Sequence, residues 1–597
     1  MPSGDQSQDV FRIAAFSGFT GDNWRALKQQ ASQAPVLFGD YLAEMRTRDP
    51  SLGYEQPFLQ HVRLAADEIK TYRPKILTNA GALNPRGCAE AVSRLFAELG
   101  IEGMKIAYVE GDDLMSRLDS LAEAGEDFHH LEDTERKLRD WGLKPASANA
   151  YVGARGIYEA LKAGADMVIS GRCTDASPLI AAAAWHHGWR WDEYGPLAGA
   201  LLAGHCLECG GYVTGGNSSG FLNIGPYHDL TMGIAEIARD GTFLVTKQPG
   251  TNGVVNANTV RSQILYEIQG NIYLNPDVTA DIRDIVVTDL GNDRVRVTGV
   301  KGLPPPDTTK AAICAVAGYQ AEAMIFATGL DVEAKFAAHR EQIRRYFGKE
   351  LAKFSVFDMT QYGVAATNPE TEAQGTAMMR ILAQSRELDA FGPTQSLWPF
   401  VNPEGLGHYP GFQWQLDLRT AVPTPFMEYW PGRVRQCHLP LEVRFVGSEE
   451  KITASPPDHT APRVISEDYD STEPCASLEQ GATVEGPLGW IVHARSGDKG
   501  GNANVGLFVR HEDEYPWLKA LLSKQGLIKL LGKEYDGYRV ERVEFPGMLA
   551  VHFVIHDYLG KGVSSTVRMD SLAKGVAEFI RARYVDLPAR FVERGKI

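Results

Sequence analysis

Two pairs of side chains have the types and spacing that acid–base chemistry needs. Arg172 and Asp175 lie three residues apart in Gly171-Arg172-Cys173-Thr174-Asp175, and His205 and Glu208 lie three apart in His205-Cys206-Leu207-Glu208. On a loop at the end of a strand, an arginine and an aspartate can hold an anionic substrate and supply an acid or a base. The same two could instead pair with each other and brace the loop. His205 and Glu208 would face the same way on a helix, with Glu208 or Asp175 as base and His205 as a general acid or base. Cys206 and Cys209 have the spacing of a redox pair or of half a zinc site. No second cysteine pair lies at finger-like distance, so buried structural thiols are expected. Gly210 and Gly211 call for close backbone approach or a positive φ, and their N–H groups could stabilise an oxyanion.

A second polar stretch runs Arg495-Ser496-Gly497-Asp498-Lys499-Gly500-Gly501-Asn502-Ala503-Asn504. Read as a loop, it is too long for a minimal hairpin. Arg495 and Lys499 among glycines suit an anion nest for a phosphate, a carboxylate or a carboxylate of another lobe. Alternatively Asp498 pairs internally with Lys499 or Arg495. Gly18, in Ser17-Gly18-Phe19-Thr20-Gly21-Asp22, could offer N–H groups to an anion. Its spacing matches neither nucleotide-binding motif, so a plain strand-to-helix turn is an equal alternative. His408 stands alone on a glycine-flanked loop and reads as exposed.

These residues need elements to hold them. Asp166 to Ser170 is a short apolar run, long enough for one buried strand ending at Gly171. A helix is expected over Tyr151–Ala163, stopped at Gly164. Another follows with Ser177 as cap and Pro178 in its first turn. Arg12–Phe16, Lys75–Thr78 and Lys105–Val109 are further short strands. The four ends fall at Ser17, Asn79, Asp112 and Arg172, with helical segments between them. That alternation predicts an α/β fold with a mostly parallel sheet and all four loops on one edge, where such sheets bind ligands. Asn79 would then join the oxyanion donors and Asp112 would orient a water, although strand ends in α/β sheets are polar in any case.

The pattern changes after about residue 225. Strands are expected at Phe243–Thr246, Asp284–Thr288 and Arg294–Thr298, the last two joined through a Gly291-Asn292-Asp293 turn. The large region therefore spans 10–450 in two lobes, about 10–230 and 230–450. Residues 451–484, rich in proline and acidic side chains, read as a linker. A small α+β domain over 485–597 has the order ββαββα.

Composition narrows the class. The 597 residues carry 60 basic and 75 acidic side chains, net −15, with no basic stripe, so nucleic acid and anionic membrane are not expected partners. No apolar run reaches the roughly 20 residues of a membrane span. The N-terminus lacks the pattern of a signal peptide. Seven cysteines, an odd number, suit reduced thiols in a cytoplasmic protein.

The segments NAYVGARGIYEALKAGADMVISGRCTDASP, AGHCLECGGYVTGG and ARSGDKGGNANVG resemble the acyclic terpene utilisation, AtuA-like, family over nearly the whole chain. The resemblance implies a ferredoxin-like C-terminal fold and a lyase or hydratase acting on a branched acyl-CoA or related carboxylate. Chemistry next to a carbonyl (hydration, dehydration or retro-aldol cleavage) needs a base and donors for a developing enolate. Arg172 would bind the substrate anion, and Arg495 and Lys499 would close over the site or bind a CoA phosphate. The resemblance brings no assigned cofactor. A divalent cation, magnesium or manganese, on Asp112, Asp175 and Glu208 is the metal-assisted alternative, as in a hydrolase or cyclase of secondary metabolism. A non-catalytic acyl-CoA-binding or scaffold subunit is the third. The expected partners are a small-molecule substrate and, through open sheet edges, further copies of the chain.

Overall fold

The computed structural model describes residues 10–41, 52–471 and 481–597. Its centre is five short strands: β1 (Val10–Ser17), β2 (Val36–Gly39), β3 (Lys75–Ala82), β4 (Ile106–Glu110) and, after β5 (Ser147–Ala150), β6 (Met167–Gly171). They lie side by side in the order β1-β2-β3-β6-β4, every pair parallel. Helices cover both faces, so the middles of these strands are mainly apolar; Ile13, Ala14, Leu37, Leu77 and Ile169 are all fully buried. The parallel arrangement sends every carboxyl end to one edge. Ser17, Asn79, Asp112 and Arg172 all lie along it.

The sheet as a whole is less parallel than its centre. Of its eleven strands, the other six pair antiparallel. Gly233–Ala238 lies against β1, followed outward by Phe243–Lys247, Val295–Thr298 and Val286–Asp289. Leu441–Phe445 lies against β4, and Lys451–Ala454 against that. The expected mostly parallel sheet is thus a parallel core with antiparallel flanks. The reason is local: these flanks return through tight turns, such as Gly241 at φ +85 and Asn292–Asp293 at φ +53 and +56, which join only antiparallel neighbours. The sheet carries on past residue 230, and Lys451–Ala454, at the start of the expected linker, is one of its strands.

A second, wholly antiparallel sheet is built on the long strand Thr308–Thr328, which pairs with Thr424–Arg435, Thr376–Ser385, Phe412–Trp414 and β5. Strand β5 is where the two sheets meet. Two helix boundaries also differ from the sequence pattern. The helix expected from Tyr151 begins at Arg155, because Val152 bridges to Cys173 instead. Ser177 is the first residue of its helix, and Ala176 is the cap.

The main sheet of the C-terminal domain follows the expected ββαββα order, its four strands lying His493–Lys499, Asn502–Phe508, Ala550–Ile555, Val540–Phe545. Beyond that order, Thr483–Pro487 pairs with Tyr584–Pro588 in a second, two-stranded sheet, and the expected helix is split into Tyr515–Leu521 and Lys524–Leu531. One face packs on its own helices. The other contributes Phe508, Val543, Phe545, Met548 and Ala550 to the core of the large region. The long polar loop expected at Arg495–Asn504 is absent. The two strands run through it, with Lys499 opposite Asn502, and only Gly500 and Gly501 form the turn. Gly500 has φ +65, the left-handed conformation that a two-residue hairpin turn requires.

Candidate functional site

The helix Tyr194–Leu207 is buried along most of its length, and its last turn and cap deliver His205 and Glu208 to the domain boundary. His205 Nε2 lies 3.0 Å from the carbonyl of Gln263 and 3.3 Å from that of Ile264. A nitrogen facing two carbonyl oxygens carries a hydrogen. His205 Nδ1 then meets Glu208 Oε1 at 3.0 Å, so that contact holds a single shared proton. Burial pushes the Glu208 carboxyl up. Burial pulls the imidazole down, but Glu208 outweighs it and holds His205 above its ordinary value. The pair titrates as one unit. Glu208 Oε2 is buried and has no hydrogen-bond partner. His205, with Nε2 on two carbonyls and Nδ1 turned to Glu208, orients the carboxylate and is not itself presented to a substrate.

Arg172 and Asp175 leave the end of β6 and pair at 2.7 Å, so the bracing interaction does form. The expectation of an Asp175 raised toward neutrality is not met. Burial pushes its carboxyl up, but Arg172, then Lys499 and Lys310, hold it below the usual value. Arg172 also lies 4.0 Å over the ring of Tyr151, and Lys310, from the long strand Thr308–Thr328, lies 3.7 Å from the same ring.

Lys499 arrives from the C-terminal domain. Burial pulls its ammonium down; Glu267, Tyr273, Asp175 and Glu208 around it raise it above its ordinary value. Glu267 Oε2 lies 3.6 Å from Lys499 Nζ. Neighbouring Asp498 is pushed up to about 7 by burial and by Glu267. Tyr273 packs edge-on against His205 with ring centroids 5.4 Å apart, and burial and Glu208 keep its hydroxyl protonated.

The sequence explains how a hairpin comes so close. A Cβ on Gly497 would lie 2.3 Å from the ring of Tyr266, and one on Gly506 2.6 Å from Leu265 Cβ. Only glycine permits this approach. Asn504 then donates to Leu265 O at 2.7 Å and accepts from Glu267 N–H at 2.9 Å. Glu267 itself has φ +56, an uncommon conformation for a side-chain-bearing residue, and it sits where the two domains touch.

Asn79 and Asp112 lie further along the same sheet edge. Asn79 donates to Asp40 at 2.6 Å and accepts from Tyr41 N–H at 2.8 Å. Asp112 accepts from Asn149 Nδ2 at 2.9 Å and from Arg172 N–H at 2.8 Å, and burial pushes it up to about 6. Between them runs a narrow cleft of about 10 Å³, room for one water, lined by Asn79, Asn149, Ser147, Arg172, Leu83 and Cys314. The cleft and the charged cluster share Arg172.

Other expected roles change. The Arg495 guanidinium lies 4.2 and 4.3 Å from the rings of Tyr212 and Tyr266 and donates to Asn217 O, so it ties the domains together instead of forming an open nest. Gly18 packs on the backbone of Glu208 and Cys209, where a Cβ would meet atoms at 2.8 Å. Gly210, at φ +58, turns the chain against Met232, and the Gly211 carbonyl accepts from Thr214 Oγ1. All three glycines shape the backbone that holds Glu208. Asp112, Asp175 and Glu208 each have a separate partner, and among the described residues no three His, Cys, Asp or Glu side chains are grouped to hold a metal ion. The shared cation site therefore does not fit. Cys206 and Cys209 are free thiols, and burial pushes both up. His408 is stacked on Phe412 with centroids 3.7 Å apart. No helix among the described residues is long and apolar enough to cross a membrane.

Sequence reasoning missed Glu267, Tyr273, Lys310 and Tyr151. Glu267, Tyr273 and Lys310 are lone residues in segments without a motif, Tyr151 reads only as the start of a helix, and the fold brings all four to the cluster. Residues 11–445 match the family described as acyclic terpene utilisation family protein AtuA, and residues 486–586 match the AtuA ferredoxin-like domain. No curated protein matches the chain.

Proposed function

The chain belongs to the AtuA acyclic terpene utilisation family, and from that premise we propose a lyase that moves a proton next to the carbonyl of a branched acyl carboxylate or its CoA thioester, in hydration, dehydration or retro-aldol cleavage. The observation that carries this reading is Glu208 Oε2, a buried carboxylate oxygen without a partner, in a cluster that also holds Lys499 and Tyr273. A carboxyl raised by burial is a stronger base than a free carboxylate. Glu208 takes the proton from the reacting carbon or hydroxyl. The proton goes to Glu208 Oε2, while His205, at Oε1, keeps the carboxylate aimed. Lys499 and Arg172 stabilise the negative charge that develops on the carbonyl oxygen. Tyr273, kept protonated, returns a proton to the oxygen that leaves. Asp175 stays ionised and holds Arg172. A CoA phosphate would have to be met away from Arg495, which is enclosed by its two tyrosines.

The test has two steps. Thermal unfolding against branched acyl-CoA thioesters and free branched acids identifies a ligand by its stabilisation of the folded state. Turnover of that ligand by Glu208→Gln is then measured. The variant should still bind and should lose about 10²- to 10⁴-fold in kcat, the usual worth of a general base. A Glu208→Gln enzyme within a few-fold of wild type refutes the assignment.

A further inference from the structure

The hairpin that carries Lys499 is gripped at its tip by a second set of charges. Asn502 sits opposite Lys499 across the Gly500-Gly501 turn. Its amide nitrogen donates to Glu132 Oε1 at 3.2 Å and to Gln269 Oε1 at 3.1 Å, and its oxygen accepts from Asp557 N–H at 3.1 Å. Glu132 belongs to the large region, on the segment leading into β5. Its second oxygen lies 3.3 Å from His556 Nδ1, and His556 Nε2 lies 3.2 Å from Glu541. Arg539 approaches the same Nδ1 at 3.0 Å and is itself paired with Glu541. His130, Asp133, Arg136 and Asp557 complete the charged surroundings of this junction.

We propose that Glu132 is a positioning residue for Lys499, and that His556 governs whether Glu132 can hold the hairpin tip in place. The proposal rests on the role given to Lys499 above. Two features of the geometry carry it. Glu132 grips the residue directly opposite Lys499, so its pull acts where the lysine leaves the turn and not on the body of the domain. His556 is buried between two carboxylates, with Glu132 and the Arg539 guanidinium both at Nδ1 and Glu541 at Nε2, so its charge decides whether the two carboxylates are bridged or repel.

The charge on His556 makes the grip depend on pH. Burial pulls the imidazole down, but Glu132 and Glu541 outweigh it and raise it to about 9. A group raised in the folded state contributes fully below its unfolded value of 6.5, and the contribution is lost as pH rises through about 9. Above that, Glu132 and Glu541 face each other across a neutral ring, and the tip is released.

Hydrogen exchange of the full chain, read by mass spectrometry, tests this without a substrate. In Glu132→Gln, amides at residues 499–504 should exchange about tenfold faster than wild type at pH 7, since a charge-assisted bond is lost. Exchange in Val540–Phe545 and the melting temperature should not move. The ratio of variant to wild type should fall toward one at pH 10, where the wild-type grip has let go. His556→Gln should reproduce the faster exchange at pH 7 and covers the case in which Glu132→Gln fails to fold. Tip exchange equal to wild type at pH 7, or a ratio unchanged at pH 10, overturns the proposal. Turnover of Lys499→Met, measured separately, tests the site itself; full activity there refutes the catalytic reading whatever the exchange shows.

Discussion

Gly497→Ala adds one methyl group at a tightly packed point between the two domains. The new Cβ would stand 2.3 and 2.7 Å from two ring atoms of Tyr266 and 3.2 Å from Glu267 Cγ. Ordinary carbon contacts are about 3.5 Å or more, so the hairpin or the ring must retreat by about 1 Å. The ring has little room, because Arg495 lies against it and Tyr212 meets it edge-on at 5.6 Å. The hairpin therefore moves, and Lys499 moves with it. Overpacking of this kind costs about 1–3 kcal/mol. Displacing a stabilising charge by 1 Å can cost about 100-fold in rate. The assay is paired: hydrogen exchange across Arg495–Asn504 with the melting temperature, and kcat/KM on whichever acyl ligand stabilises the protein. Exchange should rise and kcat/KM should fall about 100-fold, with the melting temperature lowered by a few degrees. Gly500→Ala is the control, since no atom lies within 4 Å of its Cβ and only its φ of +65 is strained. Wild-type exchange and melting in Gly497→Ala would refute the packing argument, and unchanged turnover with a displaced hairpin would remove Lys499 from the chemistry.

Two further outcomes follow from the same structure. Asp112 is buried and raised to about 6, so the folded protein loses stability as pH climbs from 3.8 toward 6 and the proton is given up. Asp112→Asn should flatten that dependence and leave the protein at least as stable at pH 7, a difference of about 3 kcal/mol for two pKa units; a melting temperature several degrees below wild type at pH 7 would contradict this. Removing residues 485–597 strips Phe508, Val543, Phe545, Met548 and Ala550 from the core of the large region. At about 1.5–3 kcal/mol for each large side chain uncovered, the remainder should aggregate or melt far lower, which size-exclusion chromatography and thermal unfolding would read. A monodisperse fragment with wild-type melting would make the C-terminal domain an accessory.

Much of the fold was legible in the sequence because it is written in short-range patterns. The apolar runs at Arg12, Lys75, Lys105 and Asp166, separated by helical segments, gave four of the five parallel strands and the edge their carboxyl ends share, and only Val36–Gly39 was missed. The spacing of His205 and Glu208 put both on one side of a helix end, as observed. The order ββαββα was readable for the same reason. The antiparallel flanks were harder, because a strand's partner depends on which distant edge is free, and a turn signal such as Gly291-Asn292-Asp293 reports only its own hairpin.

What the tertiary structure decided was charge. Asp175 and Glu208 look alike in the sequence, yet Arg172 and two lysines hold one ionised while burial raises the other. Arg495 and Lys499 stand four residues apart in one polar stretch, and the fold encloses the first between tyrosines and places the second among carboxylates. Glu267, Tyr273 and Lys310 carry no motif at all. A pKa is set by desolvation and by neighbours a few ångströms away, and those neighbours come from six separate segments that only the packing of two domains brings together.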